Sequence, residues 1–170
     1  MKGSVSQRWK WAGAVAVVAM AGCATAPMNA SLPSGHEATR QAPGDDRGLE
    51  VAMYALGLME TGYRFGGKNP EAGLDCSGMV SYVYARAAGM TLSGSAADLA
   101  RRGRPVSPKA LKPGDLVFFR INDRDYAHVG IYVGDQRFIH APSRNGKVRL
   151  DSLEKGWFAS RFGEARTYLE

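Results

Sequence analysis

Apolar residues recur at helical spacing through the middle of the chain and predict three helices. The first covers residues 47–61, with Asp46 as its cap and Gly62 as its end, and it rests on four apolar residues: Leu49, Met53, Leu56 and Met59. The second covers residues 76–88, with a buried stripe of Met79, Val80, Val83, Tyr84 and Ala87. The third, over residues 95–102, is short and begins with the spacing of a capping box.

Beyond the turn pair Pro113 and Gly114, the pattern changes to the short apolar runs that are typical of strands. Five strands are predicted, with the sequences DLVFFRI, AHVGIYVG, QRFIHA, KVRL and ARTYL. A tight turn around Gly134 and Asp135 joins the second strand to the third. Helices followed by a meander of strands indicate the α+β class, in which N-terminal helices pack on a central antiparallel β-sheet.

The N-terminal pattern is of a different kind. The basic stretch MKGSVSQRWK precedes the apolar run WAGAVAVVAM and then AGC, which is the order of an export signal over residues 1–22. The run is shorter than the roughly 20 residues that cross a bilayer. The ending resembles a bacterial lipoprotein box, which implies that Cys23 becomes the lipidated first residue, although Met20 departs from the usual leucine. An ordinary signal cut near Ala24 or Ala26 is the alternative.

Residues 23–46 are rich in Pro, Gly, Ser and Ala and predict a flexible tether with a reach of ~25–30 Å. A single folded domain is then predicted over residues 47–170. The formal net charge is +6, and half of it comes from Lys2, Arg8 and Lys10 in the signal. The domain is therefore only mildly basic, and no nucleic acid is predicted as a partner.

The cysteine count is more informative than the charge. If Cys23 is lipidated, Cys76 has no partner for a disulfide, and a free thiol in an exported protein indicates a reactive group or a small buried residue. Cys76 stands at the first turn of the second predicted helix, where unpaired N–H groups lower the pKa of a thiol and can hold an oxyanion. Asp75 is placed to cap this helix, and Ser77 and Gly78 are small enough to let a substrate approach the backbone.

A thiol nucleophile needs a base, usually histidine, and the chain has three. His36 lies in the tether. His128 begins one strand and His140 ends the next, so a hairpin centred on Gly134 brings them opposite or diagonal to each other. Because side chains alternate along a strand, both rings reach one face only if the connection has an odd number of residues or a bulge compensates.

Five motifs thus stand in order: YRFGG, DCSG, KPGDLVFF, HVGIYVG and IHA. Together they resemble the NlpC-type cell-wall peptidases, which are papain-like cysteine peptidases of a compact α+β form. The resemblance covers about residues 47–169. It implies that Cys76 is the nucleophile, that His128 is the general base and acid, and that His140 orients the base.

The resemblance also implies a substrate-binding group. Tyr63, in YRFGG, corresponds to a tyrosine that shapes the site, and its plain alternative is a half-buried aromatic residue. Asp75 corresponds to an aspartate that meets the substrate's amine in some members, and helix capping is its alternative. Ser77 belongs to the same motif and is expected to line the site. The family requires no cofactor and no metal.

The family cleaves the peptide stems of bacterial peptidoglycan, so the resemblance implies a cysteine endopeptidase. The expected bond is the D-alanyl–diaminopimelate bond of a cross-link, and the D-glutamyl–diaminopimelate bond within a stem is the alternative. A lipid anchor, including palmitate, would hold the enzyme at the periplasmic face of the outer membrane of a Gram-negative cell. A regulatory lipoprotein or an adaptor stays open as a protein partner.

Three other functions are compatible with the residues. A papain-like amidase or acyltransferase would use the same groups on another substrate. A zinc protein would use Cys76, His128 and His140 as three ligands with one open position. A non-enzymatic lipoprotein would bind the wall or a partner, although an intact Cys-His-His set argues against it.

Overall fold

The computed structural model describes residues 43–121, 124–143 and 146–169. The predicted export signal, Cys23 and His36 lie outside the described residues, as does the predicted tether before Pro43. In the part of the chain that is described, no helix is long and apolar enough to cross a membrane.

The first helix, α1, spans Pro43–Leu56. The predicted range of 47–61 was wrong at both ends, because Asp46 lies inside the helix and turns replace its predicted last residues. The predicted apolar face was wrong for Leu49 and Met53, which are 41% and 70% exposed, and for the exposed Met59, whereas Leu56 packs against the core. Smaller side chains let this helix approach the core closely. Its buried face consists of Val51, Ala52 and Ala55.

The other two helices lie close to their predicted positions. The second, α2, spans Cys76–Ala87, and the third, α3, spans Ala96–Arg102. Ser95 and Asp98 form the predicted capping box of α3. In the stripe predicted on α2, Ala87 is only partly buried. The other four members are fully buried: Met79, Val80, Val83 and Tyr84.

Six strands form one antiparallel sheet in the order β3-β8-β4-β5-β6-β7. A separate small hairpin, which the sequence did not indicate, precedes α2. Its strands are β1 (Lys68–Asn69) and β2 (Gly73–Leu74). The strands of the large sheet are β3 (Arg104–Val106), β4 (Leu116–Ile121), β5 (Arg124–Gly134), β6 (Arg137–His140), β7 (Arg149–Ser152) and β8 (Phe162–Thr167). The predicted α+β class is confirmed.

One strand was not predicted, and three others differ from their predicted positions by two or more residues. β5 begins three residues before the predicted AHVGIYVG. The sequence did not indicate β3, which contains Pro105, a residue that cannot donate to a strand ladder. Because β3 is an edge strand and pairs only with β8, the missing donor is tolerated there. β7 begins after the first two residues of KVRL, and β8 begins before ARTYL.

The sheet is apolar on both faces. On one face Val129, Ile131 and Ile139 join the buried side of α2 in the main core. The other face carries Phe119 and Phe138, which are covered by Phe158 from the segment between β7 and β8. A polar side chain that is buried on either face must therefore find hydrogen-bond partners there.

Candidate active site

Cys76 is the first residue of α2 and is only partly exposed. The carboxylate of Asp75 organises the start of the helix. Its Oδ1 accepts from the Gly78 N–H at 2.6 Å and from the Ser77 hydroxyl at 3.1 Å, and its Oδ2 accepts from the Gly66 N–H at 2.9 Å. One side chain therefore caps α2 and ties the YRFGG loop to it, which holds the thiol in place.

Gly78 has a different role from the one that the sequence suggested. It is buried, and a Cβ at this position would lie 1.9 Å from the carbonyl oxygen of Gly67. The absence of a side chain lets the YRFGG loop pack against the helix. The expectation that Gly78 gives a substrate access to the backbone was wrong, whereas Ser77 is partly exposed beside Cys76.

The electrostatic environment of the thiol combines two opposed effects. Burial raises the pKa of Cys76 to about 11, and the Asp75 carboxylate adds to the rise. The backbone N–H groups of Val129, Ser77 and Cys76 itself act in the other direction, as expected at a helix N-terminus. Burial has the larger effect, so the prediction of a lowered pKa for Cys76 was wrong in sign. The thiol is protonated at neutral pH.

His128 on β5 and His140 on β6 lie on the same face of the sheet. A two-residue turn with positive φ joins the two strands, and a bulge between Tyr132 and Gly134 supplies the extra residue that a regular pairing lacks. This is the compensation that the sequence argument required. The rings meet diagonally across the hairpin, with His128 Nε2 2.7 Å from His140 Nδ1.

Aromatic rings enclose the two histidines. His128 stacks on Phe158 with ring centroids 5.4 Å apart, and His140 meets the same ring edge-on at 4.7 Å. Gly130 leaves the necessary room, because a Cβ there would lie 2.5 Å from the Phe138 ring. Burial lowers the pKa of His128 to about 3 and that of His140 to about 4, so both rings are neutral at pH 7.

His140 has a second partner that the sequence analysis missed. Its Nε2 lies 2.8 Å from Oδ2 of Asp151 on β7. The same carboxylate oxygen accepts from Arg149 Nη2 at 3.0 Å and from Arg149 Nε at 3.2 Å. The strand register sets Arg149 opposite His140 and Asp151 opposite Phe138. The predicted strand KVRL ended one residue before Asp151, so its alternation with Arg149 went unnoticed.

The thiol approaches β5 at the residue after the histidine. The Val129 N–H is the group on β5 that hydrogen-bonds the Cys76 sulfur. Within the described residues, no hydrogen bond joins this thiol to the His128 ring. The bond to His140 occupies Nε2 of His128, which leaves Nδ1 for proton exchange with a thiol. In unliganded sites such contacts are often long and tighten when substrate binds.

Tyr63 lies in the YRFGG loop and is partly exposed. Burial raises its pKa, and the Cys76 and Asp75 side chains add to the rise when they are ionised, so the phenol is within electrostatic reach of both groups. The structure therefore brings Tyr63, Asp75 and Ser77 together around the thiol, on the helix side of the site. His128, His140 and Asp151 form the strand side.

The NlpC/P60 family model matches residues 60–167, which include every residue of both sides of this site. The chain belongs to the NlpC/P60 family. The resemblance drawn from the five motifs is thereby confirmed.

Several relatives share the NlpC/P60 domain. Murein DD-endopeptidase MepH from Escherichia coli K12 is 34% identical over 144 residues, which cover 82% of this chain and 51% of that protein. Gamma-DL-glutamyl hydrolase from Bacillus subtilis 168 is 40% identical over 107 residues, which cover 62% of this chain and 26% of that protein. The crystal structure of the NlpC/p60 domain of peptidoglycan hydrolase SagA matches with a TM-score of 0.62 and 33% identity, over 71% of this chain and 97% of that one. The chain spans about half the length of MepH and about a quarter of the length of the gamma-DL-glutamyl hydrolase.

A pocket of about 470 Å³ opens beside His128 in this NlpC/P60 domain. Arg149, Asp151, Lys155 and Trp157 are among the residues that line it. It gives the strand side of the site a space that a ligand could enter.

The described residues contain no group of three or more His, Cys, Asp or Glu side chains arranged to hold a metal ion. The facing ring nitrogens of His128 and His140 are 2.7 Å apart. Two nitrogen ligands of a tetrahedral zinc ion, with bonds of about 2.0–2.1 Å, would lie roughly 3.3 Å apart. The pair is therefore spaced as a hydrogen bond and not as two ligands of one ion.

Proposed function

We propose that this protein is a cysteine endopeptidase that hydrolyses amide bonds in the peptide stems of peptidoglycan. Cys76 is the nucleophile, His128 is the base and acid, and His140 orients His128. The proposal rests on a thiol at a helix N-terminus that is hydrogen-bonded by the N–H of Val129, the residue after His128, and on a buried pair of histidines whose facing nitrogens lie 2.7 Å apart. The similarity to MepH, a murein DD-endopeptidase, and to SagA, a peptidoglycan hydrolase, supports the class of substrate.

The reaction begins from a neutral pair. The pKa of the thiol is raised and that of the imidazole is lowered, so the proton moves to His128 Nδ1 as the sulfur attacks the carbonyl carbon. The oxyanion of the tetrahedral intermediate lies against the Cys76 N–H at the start of α2. His128 then gives the proton to the leaving amine, and a thioester forms. Water, deprotonated by His128, hydrolyses the thioester and restores the thiol.

The proposed scissile bond is the D-alanyl–diaminopimelate cross-link. The name of MepH and its match to 82% of this chain support this choice. The D-glutamyl–diaminopimelate bond within a stem is the second candidate, supported by the gamma-DL-glutamyl hydrolase at 40% identity over a shorter stretch.

Tyr63, Asp75 and Ser77 bind the acyl side of the substrate in this proposal. Protein donors already engage both oxygens of Asp75, but each carboxylate oxygen can accept more than one hydrogen bond. Asp75 therefore caps α2 and still offers a lone pair to a substrate amine. The pocket beside His128 lies on the strand side, where the leaving amine departs.

The location follows from the N-terminal sequence. The order of basic, apolar and small residues before Cys23 supports export and lipidation, with the enzyme at the periplasmic face of an outer membrane. A tether of ~25–30 Å would let the anchored domain reach the wall. No cofactor enters the reaction.

The proposal is tested with residues 24–170 and purified diaminopimelate-type peptidoglycan, whose released fragments are weighed by mass spectrometry. Loss of dimeric stems with gain of monomers indicates cross-link cleavage, and shortened stems indicate cleavage after D-glutamate. Cys76→Ser should release neither product. Ser81→Ala, on the same helix, removes a hydroxyl that donates to the Ser77 carbonyl and should behave as the unaltered protein. Equal product from Cys76→Ser would contradict the proposal.

A further inference from the structure

We propose that Asp151, held by Arg149, is a positioning residue that acts through His140 and selects the tautomer of His128 in which Nδ1 is free to take the thiol proton. The inference rests on the proposed roles of Cys76 and His128. It extends the site from three side chains to a chain of four groups that ends at the surface.

The first hydrogen bond fixes the state of His140. Its Nε2 lies 2.8 Å from Oδ2 of Asp151. An ionised carboxylate can only accept, so the proton of this bond belongs to Nε2. His140 is fully buried and neutral, and a neutral imidazole carries one N–H. Nδ1 of His140 is therefore bare and acts as an acceptor.

The second hydrogen bond makes the tautomer of His128 depend on that of His140. His140 Nδ1 lies 2.7 Å from His128 Nε2, and because the former is bare, the latter must donate. His128 is also neutral, so its remaining nitrogen, Nδ1, has a free lone pair. The reverse arrangement, with the proton of His140 on Nδ1, would place the proton of His128 on its own Nδ1. That tautomer cannot accept a proton from the thiol.

Arg149 holds in place the Asp151 carboxylate, which determines the tautomer of His140. Two of its donors and the His140 N–H converge on the same oxygen of Asp151. The side chain of Asp151 is 30% exposed and that of Arg149 is 52% exposed, so a lone aspartate here would be free to turn toward water. The two charge-assisted hydrogen bonds from Arg149 to this oxygen, together with the register of β7 beside β6, keep Oδ2 aimed at His140.

The proton positions can be read directly from the ¹⁵N chemical shifts of the histidine rings in the labelled full chain. His36 supplies a third, separate signal. We expect Nε2–H on both His128 and His140 in the unaltered protein, and a redistribution toward Nδ1–H in Asp151→Ala. Asp151→Glu, which keeps an acceptor, should restore part of the original distribution. Glu154→Gln removes a nearby acidic charge and serves as the matched control.

A second readout follows the consequence for Cys76. Its alkylation by iodoacetamide at pH 7, measured by mass on the peptide that carries it, should slow about 10- to 100-fold in Asp151→Ala, as for other residues that orient a reactive group. If Asp151→Ala does not unfold cooperatively, Asp151→Asn takes its place, because its amide can donate as well as accept and so permits both tautomers.

Each outcome of the two measurements either supports or contradicts the proposed role of Asp151. Redistributed tautomers with slower alkylation support the proposal. Unchanged tautomers in the Asp151 variants overturn it, as does Nδ1–H on His140 in the unaltered protein. Redistributed tautomers with an unchanged alkylation rate overturn the positioning role. Neither readout uses peptidoglycan, so a failure to cleave the wall would count against the proposed function alone.

Discussion

The two sides of the site are held in place by different kinds of interaction. On the helix side, Asp75 caps α2 directly before Cys76, and its oxygens bind groups within three residues as well as the nearby Gly66. On the strand side, His128, His140 and Asp151 come from three strands and meet only through the register of the sheet. The thiol is thus placed by local contacts, whereas the histidine pair is placed by pairings between distant residues. A local change should therefore move the thiol, and a change of register should separate the two histidines.

The two sides share one electrostatic feature. Burial raises the pKa of Cys76 and lowers those of His128 and His140, so the thiol and both imidazoles are neutral at pH 7. A neutral thiol and a neutral imidazole cost less to bury than an ion pair would. The aromatic surroundings therefore stabilise the resting site and leave charge separation to the moment of attack.

The largest expected effect is a loss of activity when His140 is removed from the strand side. His140→Ala should lower kcat about 10²- to 10⁴-fold, because His128 loses the partner that fixes its ring and its tautomer. His140 is 0% exposed within an aromatic cluster, so the variant should also unfold at a lower urea concentration. Muropeptide release measured beside urea unfolding separates the two effects. His36→Ala is the matched control, and a loss of activity below about tenfold in His140→Ala would remove His140 from the mechanism.

The same contrast explains how much of the molecule could be predicted from its sequence. The helix side was predictable because its signals are local: Asp75 before Cys76 gave both the start of α2 and its cap. The two histidines were named, but their arrangement depended on a bulge that no pattern in the sequence marks. Asp151 could not be found, since it matters only once β7 is in register beside β6.

The errors in the fold have equally specific causes. On α1 the prediction relied on the larger apolar residues Leu49 and Met53, which are exposed. Smaller residues make the contact between this helix and the core. β3 was missed because Pro105 argues against a strand unless the strand is known to lie at an edge. In each case the deciding fact is a neighbour in space, which hydrophobic spacing does not report.

The expected effect of intermediate size is a loss of folding stability at low pH, which tests the burial of the two histidines on the strand side. In the folded protein the pKa values of His128 and His140 are lowered to about 3 and about 4, against 6.5 for an ordinary histidine. Below pH 6.5 the unfolded chain therefore binds protons that the fold does not, and stability falls as the pH falls toward 4. We expect a loss on the order of 5 kcal/mol between pH 7 and pH 4.5, measured by urea unfolding.

The control for this effect is the double variant His128→Gln, His140→Gln, which should lose clearly less stability over the same range. Acid also protonates carboxylates such as Asp98, whose pKa is lowered by its hydrogen bonds with Ser95. An equal loss in the double variant would therefore assign the acid sensitivity to carboxylates and would leave the strand side no more acid-sensitive than the rest of the fold.

The smallest expected effect separates the two roles of Asp75 on the helix side. Asp75→Ala removes the cap of α2 and should lower the free energy of unfolding by about 1 kcal/mol. Asp75→Asn keeps an oxygen for the Gly78 N–H, since asparagine caps helices about as well as aspartate, and should cost less stability. It lacks the charge, so a carboxylate that meets a substrate amine predicts a raised KM with little change in kcat. If Asp75→Asn leaves KM unchanged, capping accounts for Asp75 entirely, and the helix side holds the nucleophile without contributing charge to substrate binding.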